Sequence, residues 1–358
     1  MTTLPDDLLN RPAAQGARLI ALRLLDDATE ALARLGEGND GEALHDFRVS
    51  IRRLRSTLRA YKPLLRGSVR KRQRRRLGEI ARATNPGRDA EVQLAWLRGQ
   101  ADRLTPRERA GLRWLEAHLD AQIKEEYARL NSRVRRDFTR VSERLRRRLA
   151  VYEQEVRTDG ETPVTLAAAA AVDLRRDAAD LASRLEAVTT PEDAATAHGA
   201  RIAAKRVRYL LEPLAPHLAV NGAALVRRLK SVQDRFGELA DSHQFEERLA
   251  AALVEAAGER ARRTLAQSLE PAEAGAARRG ADPRSGIIAV AKLVRARRDA
   301  VFSRIREWLG PGGGGEELSR EVDAVAGNLA PTAAPGSAPS EPGAAAARRR
   351  WRAKDSAR

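Results

Sequence analysis

Between Phe47 and Tyr61 the apolar residues Phe47, Ile51, Leu54, Leu58 and Tyr61 recur three or four positions apart. Only a helix gathers residues with that spacing onto one side. At about 100° per residue these side chains share a sector roughly 80° wide, and His45, Arg48, Arg52, Arg55 and Arg59 share another beside it. The segment is therefore expected to form a helix with a core face and a continuous cationic stripe. The pattern returns 153 residues later. His198 is followed by Arg201, Lys205, Arg206 and Arg208 at the offsets that separate His45 from Arg48, Arg52, Arg53 and Arg55. Val207 and Leu211 take the core side of the second helix. Glu212 stands where Arg59 stands in the first, so the second stripe is shorter.

The rest of the chain agrees with an all-α fold. Alanine, leucine, arginine and glutamate favour helices, and aromatic residues make up only 4% of the 358 positions. The pattern predicts helices over about 16–35, 42–61, 69–83, 89–101, 105–155, 166–185, 194–212, 223–236, 239–257, 259–270 and 284–309. "TPRE" at 105–108 and "TTPEDA" at 189–194 are start signals, while "TNPGRD" at 84–89 reads as a break. Asp89 and Asp241 follow their histidines by 44 and 43 residues. A shared motif followed by a shared acidic position points to a two-fold duplication, with half 1 at about 16–156 and half 2 at about 164–309. Residues 1–15 read as an N-terminal segment. Residues 310–358 read as a disordered Gly/Pro/Ala-rich tail ending in the basic "RRRWRAK".

Charge narrows the function. The formal net charge is +17, and 59 of the 66 basic residues are arginine. Surface charge runs are usually stitched by acids one helical turn away. From Phe47 to Gly78 there are thirteen basic residues and no acid, and Ala194 to Leu211 is also acid-free. Such stripes are costly as scaffold and suited to a polyanion. The planar arginine fork donates two parallel hydrogen bonds to phosphate oxygens and stays charged. The histidines His45, His118, His198, His217 and His243 show no metal-ligand spacing, and the absence of cysteine excludes thiolate sites. His45 and His198 are expected to donate to an anion. No phosphate-cradling glycine loop, serine-nucleophile motif or paired-carboxylate motif occurs, so neither cofactor nor catalysis is expected.

The segments "LHDFRVSIRRLRSTLRAY" (44–61) and "AHGARIAAKRVRYLLEPL" (197–214) resemble the signature helices of CHAD domains, the conserved histidine α-helical domain. "GRDAEVQLAWL" and "VQDRFGELADSHQ" resemble the family's second recurring element. The resemblance covers about 16–309. It implies two helical bundles related by a pseudo-two-fold axis, with the basic helices lining a central groove or pore that binds inorganic polyphosphate. Carried onto this sequence, the implied binding residues are His45, Arg48, Arg52, Arg53, Arg55 and Arg59, with His198, Arg201, Lys205, Arg206, Arg208 and Tyr209. The set extends to Lys71, Arg72 and Arg75, and to Arg227, Arg228 and Lys230. The chain departs from the family in "TNPGRD", where a leucine–glycine turn is usual, and in Ala240, which leaves Asp241 without the arginine that Arg88 supplies beside Asp89. Some family members carry a triphosphate tunnel domain, but no ExExK strand is found here.

The alternative partner is nucleic acid, for which the charge is equally suited and Trp351 offers a stacking surface. Against it, the stripes carry few aromatic side chains and few Asn or Gln to read base edges. A polyphosphate-processing enzyme is a third reading, with no motif in its favour. No apolar run is long enough to span a bilayer and no signal peptide is evident. The expected place is the cytoplasm, in association with polyphosphate granules.

Overall fold

The computed structural model describes residues 2–35, 42–151, 163–218, 222–269 and 282–329, without the side chains of 85–88 and 126–133. Among them are ten α-helices and no strand. They are α1 (Ala13–Leu35), α2 (Ala43–Ala60), α3 (Lys71–Ala83), α4 (Asn85–Arg98), α5 (Arg109–Ala150), α6 (Leu166–Glu186), α7 (Ala194–Leu211), α8 (Gly222–Leu269), α9 (Arg284–Trp308) and α10 (Gly314–Leu329).

Local chemistry sets the helix starts. Asp193 accepts a hydrogen bond from the Thr196 amide at 2.9 Å and opens α7, as "TTPEDA" predicts. Thr165 does the same for α6 through Ala168. At "TPRE" the Thr105 amide donates to Glu108 at 2.9 Å, but the helix proper starts only at Arg109. The three helices expected between 223 and 270 form one 48-residue helix, α8. Neither Gly237 nor Gly258 breaks it, because a single glycine only lowers helix propensity. "TNPGRD" is a junction rather than a gap. α3 ends at Ala83 and α4 begins at Asn85, with Pro86 in its first turn, where a missing N–H costs nothing.

Two apolar cores result. The larger gathers the stripe helices α2 and α7 with α1, α3, α6, α10, the C-terminal part of α5, the first half of α8 and the end of α9. The smaller joins α4 to the start of α5, the second half of α8 and the first half of α9. α5 and α8 are long enough to serve both, since 48 helical residues span about 70 Å. The starts of α5 and α9 touch backbone to backbone. A methyl group at Gly286 would lie 2.0 Å from the Glu108 carbonyl oxygen, so only glycine fits. Arg298 ties α9 to its neighbours, buried between Glu192, Glu246 and Asp299 at 3.2, 3.1 and 3.0 Å.

The expectation of disorder from residue 310 is corrected. Residues 314–329 form α10, which packs on α6. Leu318, Val322, Val325, Ala326 and Leu329 are buried at helical spacing, a period that the neighbouring glycines and prolines obscure in composition. The "RRRWRAK" tail, Trp351 included, lies outside the described residues, as does 152–162. Residues 1–15 hold a 3₁₀ turn at Leu8–Asn10 and the start of α1, with Leu8 fully buried. Among the described residues no helix is long and apolar enough to cross a membrane.

Candidate functional site

α2 packs on α7, and that contact brings the two stripes into one electrostatic neighbourhood. α2 buries Phe47, Ile51, Leu54 and Leu58, as the periodicity requires. α7 buries Ala200, Ala203, Ala204 and Val207, whose small size lets the helix pack close. The cations sit on the adjoining flanks. Lys205 of α7 feels Arg201 and Arg208 on its own helix and Arg52 from α2. Burial, first, and then these like charges pull its ammonium down to about 7, against a partial pull upward from Asp241. Asp241 of α8 faces Arg201 at 3.8 Å. Loss of water raises its carboxyl above the usual range while Arg201 opposes the rise.

A second cluster lies further along α2. Arg55 is held below the usual arginine range by burial, then by Arg59 and by Arg82 of α3. Arg55 lies over Gly78 of α3, where an added methyl would make only ordinary contact, 3.6 Å from its guanidinium. Gly237 of α8 is the tighter position: a methyl there would press to 3.3 Å on the Arg201 Nε, so this glycine favours the close approach of Arg201. The Nε–H groups of Arg52, Arg201 and Arg208 are buried with no acceptor among the described residues. Arg206, elsewhere on α7, has the same open Nε–H.

The other expected site residues divide. His45 and His198 reach the surface. Partial loss of water, then Arg201 and Lys205, lower the proton affinity of His198. Arg48 and Arg208 are buried, and Tyr209 is buried with the Arg208 guanidinium 4.5 Å above its ring. The two arginines at the eighth offset leave the stripe, because eight residues rotate a side chain about 80° past the histidine. Arg53 grips Glu212 across the α2–α7 contact with bonds of 2.7 and 3.2 Å. Arg206 turns to Asp180 of α6 at 3.1 Å. Arg228 is taken up by Glu317 and Glu321 of α10, at 2.7 and 2.6 Å. Arg227 and Lys230 line a shallow cleft on α8 with Asp234 and Glu238. Lys71 is exposed, whereas Arg72 and Arg75 line a cleft between α3 and α5.

Sequence reasoning did not single out Arg82, Gly78 or Gly237, which the structure places beside stripe arginines, and took Asp241 only as a mark of the repeat. A signal was present. Lys71, Arg75, Gly78 and Arg82 have the same spacing as Lys230, Asp234, Gly237 and Asp241, the spacing of one helix face. Among the described residues no three His, Asp or Glu side chains gather as a metal site would need.

Residues 19–250 match the CHAD domain family, close to two thirds of the chain. The chain belongs to the CHAD domain family. The CHAD domain from the plant Ricinus communis shares the fold with a TM-score of 0.56 at 20% identity, over 90% of this chain and 95% of that one. PptA from Streptomyces chartreusis does so with a TM-score of 0.55 at 16% identity, over 83% of this chain and all of that one. At these identities the likeness speaks for the CHAD fold. Among curated proteins none matches the chain.

Proposed function

We propose that this CHAD protein binds inorganic polyphosphate without turning it over, along the paired stripes of α2 and α7. The observation that carries the reading is the group formed by Arg52, Arg201, Lys205 and Arg208. Two helices far apart in sequence bring their cations together around buried, unaccepted N–H donors. Burial first, and then the neighbouring arginines, hold Lys205 down to about 7, and a bound anion would offset both. A chain of phosphates supplies closely spaced negative oxygens and asks for no base recognition. The CHAD family's link to polyphosphate-related proteins favours the same ligand. We read α2–α3 and α7–α8 as two copies of one unit, on the repeated histidine motif and the repeated Lys71-to-Arg82 spacing. The unit is not symmetric in charge: Arg75 and Arg82 in the first correspond to Asp234 and Asp241 in the second. The first copy is therefore expected to hold the ligand more tightly.

The test is a competition titration with labelled long-chain polyphosphate at about 0.15 M salt, where weak surface attraction is substantially screened. Duplex DNA and single-stranded RNA serve as competitors at matched charge. Retention of polyphosphate, with strongly weakened binding in an Arg52→Glu/Arg55→Glu variant, is the expected outcome. Ready displacement by nucleic acid would make the stripes a general cationic surface.

A further inference from the structure

The flank of α3 that faces away from α2 carries a second cationic feature. Between α3 and α5 lie two adjoining cavities of about 340 and 440 Å³, which share Arg72, Gln73 and Arg144. Arg140, Arg144 and Arg147 rise from α5 one turn apart, all exposed, and Arg72 and Arg75 face them from α3. Only two acids line these cavities, Glu79 and Asp137, and Arg76 binds both, at 2.8 and 2.6 Å. Arg75 approaches Glu79 at 3.5 Å. Arg148 is spent on the carbonyl oxygens of Ser68 and Gly67. Arg72, Arg140, Arg144 and Arg147 have no acidic partner among the described residues. An ordinary solvated helix face would pair cations with acids at the next turn. Here Arg76 and Arg75 engage the two acids, and the remaining arginines keep the groove positive.

We infer that the α3–α5 cleft is a second phosphate-binding groove, separate from the α2–α7 stripes and suited to a linear phosphate chain. The choice of ligand rests on the polyphosphate reading above; the groove itself does not. Arginines one turn apart stand about 6 Å apart along the helix, which presents a row of forks to a row of phosphates. The uncharged lining is Gln73 and Val141. No aromatic ring lines either cavity to stack a base, so the groove offers affinity for phosphate without base recognition. Helix α3 then serves two anion sites, with Gly78 and Arg82 on the α2 side and Arg72 on the α5 side. A chain too long for one site gains by engaging both, because the second contact is intramolecular.

Arg140→Ala/Arg144→Ala/Arg147→Ala removes exposed side chains and should leave the fold intact, which circular dichroism checks. Long-chain polyphosphate and tripolyphosphate are titrated against the full chain, this variant, Arg52→Glu/Arg55→Glu, and the combination. The triple variant is expected to weaken long-chain binding about tenfold or more and to lower the salt slope by about two, with little effect on tripolyphosphate at the central stripes. The Arg52→Glu/Arg55→Glu protein should retain weak long-chain binding, which the combined variant loses. Unchanged long-chain affinity and salt slope in the triple variant would overturn the groove. So would displacement of the residual chain by duplex DNA at matched charge, which would assign this face to nucleic acid. Failure of the central reading gives a different pattern: Arg52→Glu/Arg55→Glu would then leave all binding unchanged.

Discussion

Lys205 shows how one residue reports on the site. In the folded chain its ammonium titrates near 7, while an unfolded chain holds its proton up to about 10.4. Between those values the unfolded state binds more protons, so the Lys205 contribution to stability improves as pH rises through 7 and is worst below it. A bound polyanion restores the proton. Above about pH 7 binding must therefore take up a proton at Lys205, and affinity is expected to fall by up to tenfold per pH unit. Below 7 the residue is already charged and adds no slope. His198, lowered by its surroundings, adds a further tightening on the acid side. Polyphosphate titrations of the wild type and Lys205→Met between pH 7 and 9 check this. The variant should show weaker binding at pH 7 and a flatter profile; an equal slope would place the proton elsewhere.

Among the helices, the α2–α7 contact sets stability against binding. Glu212 accepts from Arg53 of α2 and lies 3.2 Å from Arg208 of its own chain segment, so a single carboxylate clasps the two stripe helices. Its negative charge also competes with an incoming anion for Arg208. Glu212→Gln is expected to cost about 1–2 kcal/mol in urea denaturation through the weakened charged bonds. The same variant should bind polyphosphate more tightly, since the cluster gains one net positive charge. Loss of stability together with loss of affinity would mean that the clasp is needed to shape the site. On α8, Gly237→Ala would press a methyl to 3.3 Å from the Arg201 Nε and is expected to weaken binding more than folding, because that side chain must shift; Gly78→Ala, with ordinary contact at 3.6 Å from Arg55, should leave binding unchanged.

At the scale of the molecule, α10 is part of the CHAD protein's larger core rather than an appendage. It closes over α6, and its Glu317 and Glu321 hold Arg228 in ion pairs. A chain ending at residue 309 is expected to be less stable than one ending at 329, by on the order of 3 kcal/mol, because the core surface that Leu318, Val322, Val325 and Leu329 cover returns to water, offset in part by the ordering entropy of α10. Thermal unfolding of the two truncations measures it. Arg228, released from its partners, would also add salt-sensitive affinity for polyanions in the shorter chain.

What the sequence determined by itself was everything carried by period and local chemistry. The core faces of α2 and α7, the Asp193 cap and the stripes on the adjacent flanks follow from residue spacing. What spacing could not show was which cations are consumed. Arg53, Arg206 and Arg228 look like their neighbours in sequence, yet each meets an acid from another helix, at separations of 159, 26 and 89 or more residues. Long-range ion pairs leave no local pattern. The continuity of α8, the return of helix at α10 and the close approach of Arg201 to Gly237 likewise depend on what packs against each segment. Local chemistry thus chose the helices and their charged flanks. Tertiary packing decided which charges remain free to meet a ligand, because a charge is neutralised by whatever lies near it in space.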